Sequence, residues 1–293
     1  MADHNGEGRK GRLRHGYRIR PMPADPLRRS PAGQPGTPDH AEGRQRRMLE
    51  LAEALRHGDR DQLAFQISEI AGDRIYERGG VEVGPGDVVV DAGGNFGVAA
   101  AHFALQCGAE VHTLEPVPAT FEVLRRNLAG VPGVTAHPFG LASTAGPAEM
   151  TWFEGGDSVM SSLNPDLDET RERLALAGRN LGLSDSEAED MARSRLDPQT
   201  VTCRFETLSG FIASAGIPEV DLLKVDVEGS ELEVLRGVVE EDWPRIRQVA
   251  AEVHEQELVE EIEALLRARS FTVVVEQDSQ LSGTPIRLLY AVR

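Results

Sequence analysis

Cysteine is nearly absent from this 293-residue chain: Cys107 and Cys203 are the whole complement. They lie far apart and show no CxxC or Cys/His ligand spacing, which excludes a disulfide-stapled or zinc-ribbon scaffold and leaves two reduced, structural thiols. No apolar run approaches the roughly 20 residues needed to span a bilayer, and the first residues hold no apolar signal core. A cytoplasmic protein without a membrane partner is expected. Basic excess is missing too: the formal net charge is −17, which argues against nucleic acid as the main partner, because phosphate backbones demand a positive surface.

What is present divides unevenly. Residues 1–47 hold eleven Lys/Arg against five Asp/Glu, a surplus of +6 that leaves −23 on the remainder. Residues 1–43, rich in Gly, Pro and Arg, read as a disordered basic tail. Between 44 and 80 the apolar positions Met48, Leu51, Leu55 and then Leu63, Ile67, Ile70 recur at helical spacing, so two helices broken near His57-Gly58-Asp59 are expected. From 81 to 293 strands alternate with helices, which implies a doubly wound, mostly parallel α/β sheet of Rossmann-like type, closed by an antiparallel C-terminal edge hairpin. The stretch at about 155–199 breaks that rhythm. It is acidic, helical, interrupted by Gly178 and Gly182 and poor in aromatics, and it reads as a lid-like insertion that carries specificity.

Three clusters carry chemistry. In the first, the strand Val88–Asp91 runs into Ala92-Gly93-Gly94-Asn95-Phe96-Gly97, a turn that opens a helix, and the next strand ends at Glu115. Such a strand, turn and helix binds nucleotides at the helix start. Asn95 stands where a dinucleotide site places its second spaced glycine, so a pyrophosphate fits poorly, although Asn tolerates a left-handed turn. Glu115 suits the ribose hydroxyls of either cofactor type. A second cluster, Asp221 to Glu231, sends Lys224 and Asp226 to one face of a strand and places Glu228 and Glu231 in a first helical turn, where capping is their expected role. The third cluster adds Glu252 and His254 on one face of the following strand. His102 and His112 are expected to be structural.

Taken together, Asp91–Gly97, Leu114-Glu115-Pro116, Leu223–Gly237 and Glu252-Val253-His254 resemble the FkbM family of S-adenosylmethionine-dependent methyltransferases, over about residues 80–290. The resemblance implies a class I methyltransferase fold and methylation of a small-molecule hydroxyl, often on a natural product or sugar. It implies that Asp91, Gly93, Asn95 and Gly97 line the methionine end of the cofactor, that Glu115 and Pro116 meet the ribose, and that Leu141 and Ser143 lie near adenine. Ser162, in Ser161-Ser162-Leu163, resembles another family segment near the cofactor, and Gly94 stands where the family usually has Ala. His254 is the expected general base, with Asp226 orienting it or holding the acceptor and also bordering the cofactor. Lys224 is the competing catalytic choice, and Mg²⁺ on Asp226 and Glu252 is a third. An NAD(P)-dependent dehydrogenase and a non-catalytic cofactor-binding partner subunit remain the alternative readings, and a homo-oligomer is compatible with either.

Overall fold

A computed structural model of the chain describes residues 38–153, 163, 167–180, 182–196, 198–278 and 281–293. The expected tail therefore lies outside the described residues up to position 37. The first helix, α1 (Pro38–Ala54), begins six residues before the expected start, and residues 42–293 form one compact unit. Next comes α2 (Arg60–Ile67), capped by the Asp59 carboxylate, which accepts from the Asp61 and Gln62 N–H groups. It runs on into a π-helical turn, Ser68–Gly72.

The large sheet contains β1 (Val88–Ala92), β2 (Glu110–Leu114), β3 (Val134–His137), β7 (Leu222–Val225), β8 (Gln248–Val253), β9 (Thr272–Glu276) and β10 (Arg287–Val292), in the order β3-β2-β1-β7-β8-β10-β9. The pairs β1·β2, β1·β7, β2·β3 and β7·β8 are parallel, whereas β10 runs antiparallel to both β8 and β9. The expected C-terminal hairpin exists, but only β9 is at the edge. The reason is visible in β10, whose Leu288–Ala291 are all buried: an almost wholly apolar strand needs both neighbours and both faces covered.

Side chains alternate across this sheet, and the two faces feed separate cores. Val90, Ala92, Leu223, Val225, Val249, Ala251 and Leu289 pack under α7 (Leu208–Ala215), α8 (Glu231–Arg236) and α9 (Gln256–Arg267). Val89, Val111, Leu222, Ala250, Leu288 and Tyr290 meet α1, α2, α3 (Val98–His102) and α4 (Pro118–Asn127). Helices on both faces complete the doubly wound arrangement expected from sequence. Strand order reverses between β1 and β7, the place where open α/β sheets bind ligands at the strand ends.

A second, three-stranded sheet joins β4 (Gly140–Leu141), β6 (Pro198–Glu206) and β5 (Gly146–Phe153) in the order β4-β6-β5. Between β5 and β6 stand α5 (Leu167–Asn180) and α6 (Asp185–Arg195), which share a small core of Leu174, Ala175, Ala188 and Ala192. The break between them follows Asn180, so Gly178 sits inside α5 instead of interrupting it. Ser184 then starts α6 with a capping box to Glu187.

The N-terminal segment is pinned to the sheet by Tyr290, whose buried hydroxyl donates to the Ile75 carbonyl at 2.6 Å. Tyr290→Phe keeps the ring but leaves that buried carbonyl unpaired. It is expected to cost about 1–2 kcal/mol, lowering the unfolding midpoint by roughly 3–8 °C in a thermal scan; an unchanged midpoint would refute this anchoring role.

Candidate active site

The glycine turn is built by close backbone approach. Gly93 adopts φ 84°, and a Cβ there would stand 1.8 Å from the Asp226 carbonyl oxygen. A Cβ on Gly94 would stand 2.2 Å from Thr113 Oγ1 and 2.6 Å from Leu124 Cδ1. A side chain at Gly94 would have to displace Thr113 and Leu124. Both glycine N–H groups donate to the Leu114 carbonyl, at 3.1 and 2.9 Å, which ties the turn to the end of β2.

Asn95 takes the left-handed conformation, φ 45°, that its small polar side chain tolerates. Its N–H donates to Glu115 Oε2 at 3.0 Å, and the Val117 N–H donates to Oε1 at 2.9 Å. The Glu115 carboxylate is thus clamped between two backbone donors. Burial raises its pKa to about 7, against the pull of those two N–H bonds. Gly97 stands behind the turn as the residue before α3.

Beneath the turn, the face covered by the N-terminal helices carries a polar row, because Thr113, Asp91, Lys224 and Ala250 pair across β2, β1, β7 and β8. Lys224 is buried, with Nζ 3.0 Å from Asp91 Oδ1, 3.5 Å from Asp226 Oδ2 and 2.7 Å from the Gly93 carbonyl oxygen. Thr113 donates to Asp91 Oδ2 at 2.8 Å. Burial pulls the lysine pKa down, but Asp91 and Asp226 outweigh it and hold the ammonium charged. Asp91 is fully buried, so Asp91 and Lys224 support the turn from below.

At the carboxyl edge the second and third clusters meet. His254 is buried; its Nδ1 lies 2.9 Å from Glu231 Oε1, and its Nε2 lies 3.2 Å from Glu228, 3.6 Å from Glu252 and 4.0 Å from Asp226. Burial opposes the charge, yet Glu228 and Glu231 prevail and push the imidazole well above its usual range. The surrounding carboxylates therefore favour the imidazolium form of His254, the residue expected from sequence to be the base. Nor are Glu228 and Glu231 simple capping acids. Glu228, at φ 53°, faces His254, and the fully buried Glu231 accepts both from His254 and from the Gly229 N–H. Glu252 is the group near neutrality: loss of water and the nearby Asp226 raise its carboxyl to about 7.

A pocket opens over these groups, lined by Gly93, Asn95, Glu115, Pro116, Leu141, Asp226 and Glu228. Gln66 on α2, Met150 and Phe205 on the small sheet, and Leu163 also line it. Gln66, Met150 and Phe205 carried no sequence signal, since each is an ordinary residue of its element, whereas Leu163 belongs to the Ser161-Ser162-Leu163 segment singled out from sequence. Ser143 does not line the pocket; its hydroxyl donates to Glu233. Ser161 and Ser162 lie outside the described residues. A further residue escaped sequence reasoning: Tyr76, buried, donates from its hydroxyl to Asp226 Oδ2 at 2.9 Å.

Comparison with known proteins gives this geometry a family. Residues 91–273 match the methyltransferase FkbM domain. The chain is 39% identical over 264 residues to the 31-O-demethyl-FK506 methyltransferase FkbM of Streptomyces tacrolimicus, covering 84% of this chain and 99% of that one. It is 33% identical over 218 residues to the methyltransferase sdnD of Sordaria araneosa, covering 71% and 82%. A 29% match over 244 residues to the AMB antimetabolite synthetase AmbE of Pseudomonas aeruginosa spans only 12% of that longer protein. With its central domain matched and the FK506 methyltransferase covered almost end to end, the chain belongs to the FkbM family of methyltransferases.

Proposed function

We propose that the protein transfers a methyl group from S-adenosylmethionine to a hydroxyl oxygen of a small molecule. The observation that carries this reading is the clamped Glu115 carboxylate beside the left-handed Asn95 turn, because it presents acceptor oxygens to a ribose without the phosphate-binding glycines of a dinucleotide site. Pro116 and Leu141, with Met150 and Phe205, offer an apolar slot for the base. Ser143 is a weaker candidate for an adenine contact, since its hydroxyl is engaged by Glu233. A hydroxyl acceptor is favoured by the 39% identical relative, named as a 31-O-demethyl-FK506 methyltransferase. The helices α5 and α6 are assigned the role of a cover over the acceptor.

S-adenosylmethionine brings the methyl group on a sulfonium that is already a good leaving group. The protein has to align the hydroxyl and accept its proton, and orientation alone supplies roughly 7–11 kcal/mol in well-placed cases. We assign proton acceptance to Glu252, whose carboxyl sits near neutrality, and acceptor alignment to Asp226. His254, held charged, steadies the carboxylates around it. A second reading adds a divalent cation, because Asp226, Glu228 and His254 offer ligand atoms all within 4.8 Å of one another. In that reading chelation abolishes turnover and Mg²⁺ or Mn²⁺ restores it.

Labelled S-adenosylmethionine offered with 31-O-demethyl-FK506 and other hydroxylated metabolites tests the whole reading. Label found on oxygen supports it, and label found on nitrogen or carbon would overturn the O-methyl assignment. Glu115→Gln is expected to weaken S-adenosylhomocysteine binding by about 10–100-fold, the scale of charge-assisted hydrogen bonds; calorimetry showing native affinity would remove Glu115 from the site. Glu252→Gln should lower kcat by about 10²–10⁴-fold, as loss of a general base does, while leaving homocysteine-product affinity nearly intact. The wild-type rate should rise with pH through about 7, because the carboxylate form, present above its pKa, accepts the proton. A pH-independent rate between 6 and 8 would exclude Glu252 from that role.

A further inference from the structure

The family match begins at Asp91, yet a side chain fifteen positions upstream bonds Asp226, which lines the pocket. Tyr76 follows the π-helical turn of the N-terminal segment and is 3% exposed. Two features converge on it. Its hydroxyl donates to Asp226 Oδ2 at 2.9 Å, and Lys224 Nζ lies 5.4 Å from its ring centroid, within reach of a cation–π attraction. Lys224 is the same ammonium that bonds the Gly93 carbonyl and is flanked by Asp91 and Asp226.

We infer that Tyr76 is a positioning residue of the methyl-transfer site, holding Asp226 and Lys224 so that the Gly93 turn keeps its cofactor-binding shape. This rests on the cofactor reading given above. The chemistry suits the role. Tyr76 is buried, and its phenol hydroxyl donates to the Asp226 carboxylate. One Asp226 oxygen is then engaged by Tyr76 and Lys224, and the other faces His254 at 4.0 Å. Without the hydroxyl, Asp226 is free to rotate, and the ammonium loses one of the two carboxylates that hold it under the turn. The N-terminal helices are, on this view, part of the catalytic unit and not an appendage to it.

A double-mutant cycle separates positioning from packing. S-adenosylhomocysteine affinity is measured by calorimetry for the wild type, Tyr76→Phe, Asp226→Ala and the pair, with thermal unfolding of each as the check on folding. Tyr76→Phe, which keeps the ring, is expected to weaken binding about tenfold, the scale of one hydrogen bond to a charged group. In the Asp226→Ala background, where no side-chain acceptor is left at 226, the same change should have no further effect. Native affinity in Tyr76→Phe, or an equal further loss in the double variant, would overturn the inference and leave the cofactor reading standing. A wild type that does not bind the probe at all overturns both.

Discussion

A buried ammonium cannot be left unpaired, and the central part of this molecule is organised around that constraint. Lys224 lies in the middle of the sheet with almost no access to water, so its charge requires partners in fixed positions. Asp91 comes from the neighbouring strand, Asp226 from two residues along its own, and the Gly93 carbonyl from the turn above. The turn that opens the pocket is thus held from beneath by an ion pair, as well as from the side by its two bonds to Leu114. Removing Asp91 or Asp226 would leave the buried ammonium with one carboxylate in place of two, so the geometry of the turn and the electrostatics of the sheet interior are one problem with one solution.

The reacting end follows a different logic. There, carboxylates outnumber cations: Asp226, Glu228 and Glu252 converge on a single imidazole nitrogen, and Glu231 takes the other. The charge is managed by moving protons. His254 is held positive, while Glu252 and Glu69 are pushed up by loss of water and by their acidic neighbours. Under the proposed reaction, excess negative charge of this kind suits a sulfonium, and a carboxyl poised near neutrality suits the capture of a hydroxyl proton.

Much of this was legible in the chain. Period-two spacing put Lys224 with Asp226, and Glu252 with His254, on shared faces, and the structure brings both pairs to the same edge because β7 and β8 are parallel neighbours. Asn95 in a left-handed turn and Glu115 at a strand end were equally readable, since turn stereochemistry is a local property. Tyr76 was not, because the segment that carries it arrives over the sheet by packing that no local pattern records. The surroundings of His254 were not readable for the same reason: Glu228 approaches it from a left-handed residue and Glu231 from a helix start.

Local stereochemistry and side-chain periodicity therefore settled, from the order of residues alone, the alternation of strands and helices, the glycine turn and the face on which each polar side chain stands. Those features depend on neighbours a few positions away, and the chain carries them wherever it goes. The insertion of β10 between β8 and β9, the small sheet that brings Met150 and Phe205 to the pocket, and the ring of carboxylates around His254 were decided only on folding. Each depends on groups far apart in sequence sharing a space from which water has been removed, where charge interactions become strong enough to choose between protonation states.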